Sequence, residues 1–246
     1  SEARRDDPDR YLTAIFAPAD CRASVLGLIL FNHELARVPA IASEPVIGMI
    51  RYQWWRDALE EAAEGRPRRH PVVEALATAF GAHHLSAADL TKLIDAREVE
   101  IDRLQPENLD ALETFVASTS GYLSELIDGA VTGGAWREPA RLAGTAYGLV
   151  GIVRAVRAQI GQDRLLLPAD GAVAPILERA ASLLHEMRRL AGKAPRRAAT
   201  PLLLATIARR QLKQSQRNTS GPPTGEAGPQ PFLPLELLLR SWGRRY

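Results

Sequence analysis

"LAGTAYGLVGIVRAVRAQIGQDRLLLP", Leu142 to Pro168, reads as a long helix followed by a turn and a short extended exit. At 100° per residue, Gly144, Gly148, Gly151, Ala155 and Ala158 fall within one narrow sector of that helix. A glycine inside a helix costs roughly 1 kcal/mol relative to alanine, so three on one side mean that something comes close to the backbone. Two things meet that description: a neighbouring helix, or an apolar ligand in a cavity. Arg154 and Arg157 leave the helix away from the centre of the sector, where a guanidinium suits a phosphate or a carboxylate. Between Gly148 and Gln162 there is no carboxylate at all.

The same helical period recurs along the chain. It predicts a short helix that starts at Pro8 or Asp9 and ends before Pro18, and a second from Asp20, as N-cap, to Val38, with Pro39 stopping it. A third begins after Pro45 and is ended by Gly65-Arg66-Pro67. In it, Val46, Ile50, Trp54 and Ala58 recur every fourth residue and define the expected buried stripe. Further helices are predicted over 71–81, 86–104, 107–128, 138–160, 174–191, 197–217 and 234–243. In the 107–128 segment, Leu109, Leu112, Val116, Leu123 and Leu126 lie on a face that drifts. The organisation is all-α: one helical domain over 9–217, a Gly/Pro-rich loop over 218–234, and an amphipathic C-terminal segment over 235–246. Such a leucine- and arginine-bearing end lies on an anionic membrane, docks on a partner helix, or packs back onto its own domain.

Composition agrees. Alanine and leucine dominate, aromatics make up 6% of the 246 residues, and no alternating β-branched run supports a sheet. The formal net charge of +2 gives no support for nucleic-acid binding. Cys21 is the only cysteine, which excludes an intramolecular disulfide and a cysteine-based zinc site. The opening "SEARRDDPDRYL" lacks the apolar core of a signal peptide, and no apolar run reaches the ~18 residues of a membrane span. The chain is expected to be soluble or peripheral to a membrane.

Leu90, Ile94, Ile101 and Leu104 form the apolar face of the 86–104 segment, and Asp95, Glu98 and Asp102 run along or just beyond its edge. Three carboxylates so placed either line a cleft for metal or acid–base chemistry, or form a solvated flank paired with Arg97 or Arg103.

Several ordered phrases resemble the squalene and phytoene synthases. They are "RYLTAIFAPADCRASVLGLILFNHELARV", "RYQWWRDALEEAAEGRPRRHPVVEAL" with its Gly-x-Pro-x-x-His-Pro turn, "LIDAREVEIDRL", and the opening stretch with its Arg-Leu-Leu-Leu-Pro exit. The resemblance covers residues 9–215 and implies the isoprenoid-synthase fold, a single-domain helical bundle around a central cavity. It also implies head-to-head condensation of two prenyl diphosphates, with Mg²⁺ held by two Asp-rich motifs. This chain departs from both motifs. "PAIAS", Pro39 to Ser43, stands where the first would lie; in the second, Ala155 and Gln159 take the aspartate positions and Gly148 and Gly151 those of the preceding polar residues. Arg154 is kept. The cavity candidates implied are Arg37, Asp95, Glu98, Asp102, Gly148, Gly151, Arg154 and Ala155, with no catalytic residue and no metal ligand assigned.

Within that family, "FNHELARV", "SEPVIGMIRYQWWRDALEE", "LIDAREVEIDRL" and "ASTSGYLSEL" are most similar to the branch of the mitochondrial respiratory complex I assembly factor and its bacterial relatives. That branch implies a non-catalytic protein without a cofactor. Its expected partners are a complex I subunit, a membrane surface, or an isoprenoid or other lipid such as a quinone tail. The alternative is an active prenyltransferase using Mg²⁺ at a relocated acidic site, Asp95, Glu98 and Asp102.

Overall fold

Side-chain caps and prolines set where the helices begin. In the computed structural model, which describes residues 2–80, 85–102, 105–158, 167–192, 194–218 and 233–243, α1 (Glu2–Asp6) leads into α2 (Pro8–Ala14). Asp7 caps α2 by accepting from the Arg10 N–H at 3.0 Å, and Pro8 fills a first-turn position that needs no donor. Next come α3 (Arg22–Ile41), α4 (Pro45–Ala63), α5 (Pro71–Ala79), α6 (Ala87–Glu98) and α7 (Leu109–Val116). His70, Ser86 and Asn108 cap α5, α6 and α7 through their side chains. A π-helical segment, Ala117–Gly121, joins α7 to α8 (Tyr122–Thr132) without a break. The chain ends with α9 (Arg137–Ala158), α10 (Val173–Ala191), α11 (Ala199–Asn218) and α12 (Leu233–Gly243). No strand occurs among the described residues, and none of their helices is long and apolar enough to cross a membrane.

Three sequence-based expectations need correction. Cys21, not Asp20, is the N-cap residue of α3, and Asp20 instead pairs with Arg197 at 2.9 Å. Pro39 does not stop that helix, which runs on to Ile41. Proline has no N–H to offer the carbonyl four residues back. Here the Leu35 carbonyl accepts instead from the Tyr52 hydroxyl of α4 at 3.2 Å, so the helix continues. Third, α4 buries Gly48, Tyr52, Trp55, Ala58, Leu59 and Ala62, while Val46, Ile50 and Trp54 are 63%, 59% and 37% exposed. Of the predicted stripe only Ala58 faces the core. The helix turns this way because Tyr52 and Gly48 meet the Arg97 carbonyl and Ile101, which crowd the opposite side.

Buried apolar side chains gather in two groups. One joins α1–α6 with α8; the other joins α7 with α9–α12. The π segment accounts for the drifting leucine face: Leu112 and Val116 belong to the second group, Leu123, Leu126 and Ile127 to the first. α9 is the central rod, packed against α8, α10, α11 and the π segment.

Candidate functional site

The glycines of α9 do not all serve the same purpose. A methyl group on Gly144 would collide with Ser124 Oγ and the Ser120 carbonyl, and one on Gly148 would sit 2.5 Å from Val116 Cγ1 and 2.9 Å from Ser120 Cβ. Here the neighbouring helix is what approaches. Ser120 Oγ donates to the Gly144 carbonyl at 2.6 Å and locks the contact. At Gly151, by contrast, an added methyl would meet no neighbouring element within 4 Å among the described residues. Arg154 is half-buried and Ala155 exposed on the same helix. Gln159 falls outside the described residues.

Arg10 of α2 is buried beneath this contact, 7% exposed. Its Nη1 donates to Asp7 at 2.9 Å and its Nη2 to Ser120 Oγ at 2.7 Å, and the guanidinium lies 4.7 Å from the centre of the Tyr147 ring. The Tyr147 hydroxyl and Gln211 Nε2 both donate to Asp9, at 3.1 and 2.6 Å. Burial, reinforced by Asp7, pushes the Tyr147 pKa well up, so the phenol stays neutral and acts as a donor.

The three carboxylates picked out in the sequence are parted. Arg56 of α4 donates to Asp95 at 2.5 Å and to Glu98 at 2.7 Å, a partner 39 and 42 residues away. Arg97, one of the pairing candidates, holds Glu100 at 2.6 Å instead, and Arg103 falls outside the described residues. The chain leaves α6 at Glu98, so Asp102 is not on the helical edge of the other two. The Ile101 N–H bonds back to the Glu98 carbonyl at 2.9 Å, Ile101 packs on Gly48, and Asp102 turns into a separate cavity of about 350 Å³. That cavity is bounded by Pro39, Ala42, Ser43, Glu44 and Pro45, the α3–α4 corner. Arg37 stands one turn before it, half exposed and 3.5 Å from Glu34.

A larger groove, about 710 Å³, lies where α7, the π segment, α8 and the start of α9 meet. Its charges largely satisfy one another. Arg179 grips Glu113 with two hydrogen bonds of 2.6 and 2.8 Å, and Arg141 does the same to Glu138. Burial pushes the Glu125 pKa up, against the pull of Arg141 at 3.5 Å.

The family model for squalene/phytoene synthase matches residues 3–171. The chain belongs to the squalene/phytoene synthase family. Relatives include NADH dehydrogenase (ubiquinone) complex I assembly factor 6 of Rattus norvegicus, 28% identical over 99% of this chain and 80% of its own length. The Mus musculus and Homo sapiens counterparts are 32% identical over 68% of this chain, a stretch spanning 51% of their length. Among solved structures, a dehydrosqualene synthase in complex with a ligand superposes with a TM-score of 0.82 at 16% identity, covering 98% of this chain and 93% of the other. Squalene synthase HpnC from Alicyclobacillus acidocaldarius gives 0.71 at 18% identity, covering 89% and 92%. These two share the isoprenoid-synthase fold with this chain.

Within the squalene/phytoene synthase family, then, this member has an uncharged α3–α4 corner apart from Glu44 and a glycine–alanine face on α9. Sequence reasoning missed Arg56, Arg10 and Gln211. Their distant partners, Asp95 and Glu98 for Arg56, Ser120 for Arg10 and Asp9 for Gln211, lie on other elements, so the neighbouring sequence does not announce them.

Proposed function

We propose that this squalene/phytoene synthase family member is non-catalytic, carries no resident metal, and acts in the assembly of respiratory complex I. One observation carries the reading: the oxygen ligands that a Mg²⁺–diphosphate requires are missing from α9 or already engaged elsewhere. Mg²⁺ binds through carboxylates, phosphate oxygens and retained waters. Gly148, Gly151 and Ala155 offer no oxygen from a side chain, and Asp95 and Glu98 are held by Arg56. Asp102 and Glu44 share a cavity, but no group of three potential metal-binding side chains exists among the described residues. The residues present do not fit a Mg²⁺–diphosphate. The assembly role draws its support from the similarity to complex I assembly factor 6.

The exposed side chains of α4 add a physical argument. Ile41, Val46, Ile47, Met49 and Ile50 are 40–63% exposed around the α3–α4 corner, and contiguous apolar surface of this kind marks interaction sites. Glu44 and Asp102 border it, which favours a protein segment carrying a basic residue over an anionic surface.

Two measurements test the proposal. Incubation with farnesyl or geranylgeranyl diphosphate and Mg²⁺ is expected to release no pyrophosphate above background; release that disappears in Asp102→Ala would overturn it in favour of a prenyltransferase. Deleting the gene is expected to lower the complex I level while carotenoid and hopanoid content stay unchanged. Restoring the Val46→Glu/Ile50→Glu variant, which should fold within about 0.5 kcal/mol of the parent because both sites are exposed, is expected not to rescue that level.

A further inference from the structure

α4 carries apolar side chains on two faces. The inner face, with Tyr52, Trp55 and Leu59, is buried in the first apolar group. On the outer face Val46, Ile50 and Trp54 follow one another at four-residue intervals, flanked by Ile47 and Met49, and all five are exposed. A helix that is apolar all round is ordinarily covered all round, yet no described element of this chain covers the outer face of α4.

Residues four apart build a ridge along a helix, and such a ridge fits the groove between two ridges of another helix. The outer side of α4 therefore has the shape to receive a helix, and its ends say which kind. At the N-terminal end lies the cavity of about 350 Å³, lined by Glu44 and Asp102 and by no basic residue. Both carboxylates are exposed, and neither is paired among the described residues; Glu44 makes no capping bond although it stands at the helix start. Towards the other end Glu60 continues the outer face, exposed and again without an ion pair among the described residues. Arg68 lies over the Trp54 ring at 5.4 Å, but Glu61 already holds it with hydrogen bonds of 2.7 and 2.9 Å. Arg51 falls about 140° around the helix from Val46, off this face. What remains is an apolar ridge with unpaired carboxylates at both ends.

We propose that the outer face of α4 seats an amphipathic helix of a partner protein, apolar along the ridge and carrying a lysine or arginine towards each end. One of those cations enters the cavity that Glu44 and Asp102 line. The span from Glu44 to Glu60 is about 24 Å, so the partner contributes about four turns. This is recognition through apolar anchors on one side of a helix, with complementary charge steering the encounter and fixing the direction of docking. An anionic bilayer fits less well, since its headgroups would meet three unpaired carboxylates. So does a second copy. Laid antiparallel across a two-fold axis at Ile50, it would bring Glu44 to the level of Arg56 and Asp57. There Asp57, Glu61, Asp95 and Glu98 outnumber Arg56 and Arg68. The proposal rests on the assembly reading for the existence of a protein partner, and adds the chemistry of that partner.

Photocrosslinking of the full chain in its native host tests it. p-Benzoylphenylalanine is placed at Ile50, with exposed Glu178 of α10 as the control position, and the crosslinked peptide is sequenced by mass spectrometry. An adduct is expected at Ile50 and not at Glu178, to a segment of another protein with helical apolar period and flanking lysine or arginine. Glu44→Lys/Asp102→Lys should lower its yield roughly fivefold, the equivalent of two surface ion pairs lost. Both sites are exposed, so circular dichroism melts should show that variant folded. An adduct to lipid, to a second copy of this chain, or to a segment lacking basic residues or helical period overturns the proposal. So does an Ile50 yield no higher than the control, or one that the charge reversal leaves unchanged. The complex I level of the deletion strain is read separately. A basic amphipathic helix from a protein unrelated to complex I, with that level unchanged, keeps the docking face and removes the assembly role; a lowered level with no Ile50 adduct does the reverse.

Discussion

Asp128 shows how much one residue settles. It is fully buried, yet its carboxylate accepts from Thr132 Oγ1 at 2.7 Å and from the Trp136 N–H at 2.9 Å, and so fixes the turn from α8 to α9. Gly133 and Gly134, with φ of 73° and 86°, supply the left-handed backbone that the turn needs. Burial raises the Asp128 pKa above 3.8, and the two hydrogen bonds only partly restrain it. A carboxyl raised in the folded state favours folding below its unfolded pKa, and that contribution is lost as pH rises through the folded value. Asp128→Asn should therefore gain on the parent over that window in urea unfolding. Asp128→Ala should lose roughly 1–3 kcal/mol at every pH, because the Trp136 N–H is left without its acceptor.

Among the elements, α9 gives the sharpest contrast. Gly144→Ala must push the helix off Ser120 and Ser124, and is expected to cost about 3 kcal/mol, the upper end of the range for overpacked cores. Gly151→Ala meets no neighbouring element among the described residues and should stabilise by about 0.5–1 kcal/mol through helix propensity. Thermal melts of the two variants should shift in opposite directions. The sequence alone could not separate these glycines, since both lie in one sector and only the partner helix tells them apart. Helix existence was legible nearly throughout because caps and prolines act locally, as at Ser86 and Pro71. The orientation of α4 was not. Val46, Ile50 and Trp54 keep the spacing of a core stripe, but Tyr52 and Gly48 are held by contacts with α6 and the turn after it. Asp95 and Glu98 were legible as an acidic edge, whereas their capture by Arg56 depends on how α4 lies across α6.

At the scale of the whole molecule, Arg10 stands where the two apolar groups meet, tying α2 to the π segment and, through Ser120, to α9. Arg10→Ala would leave Asp7 without its partner and is expected to cost roughly 3–5 kcal/mol in urea unfolding. The family was legible because several phrases occur in order over most of the chain, while the contacts that depart from its pattern became visible only in three dimensions. The π segment has a last consequence. A helix advances about 100° per residue, so the additional residue accommodated in Ala117–Gly121 acts as a phase shifter between two collinear halves. Losing one residue there would spin α8 against α7 and carry Leu123 and Ile127 out of register with their core. For this stretch the damaging class of mutation is thus the indel, and its length is under tighter constraint than its spelling.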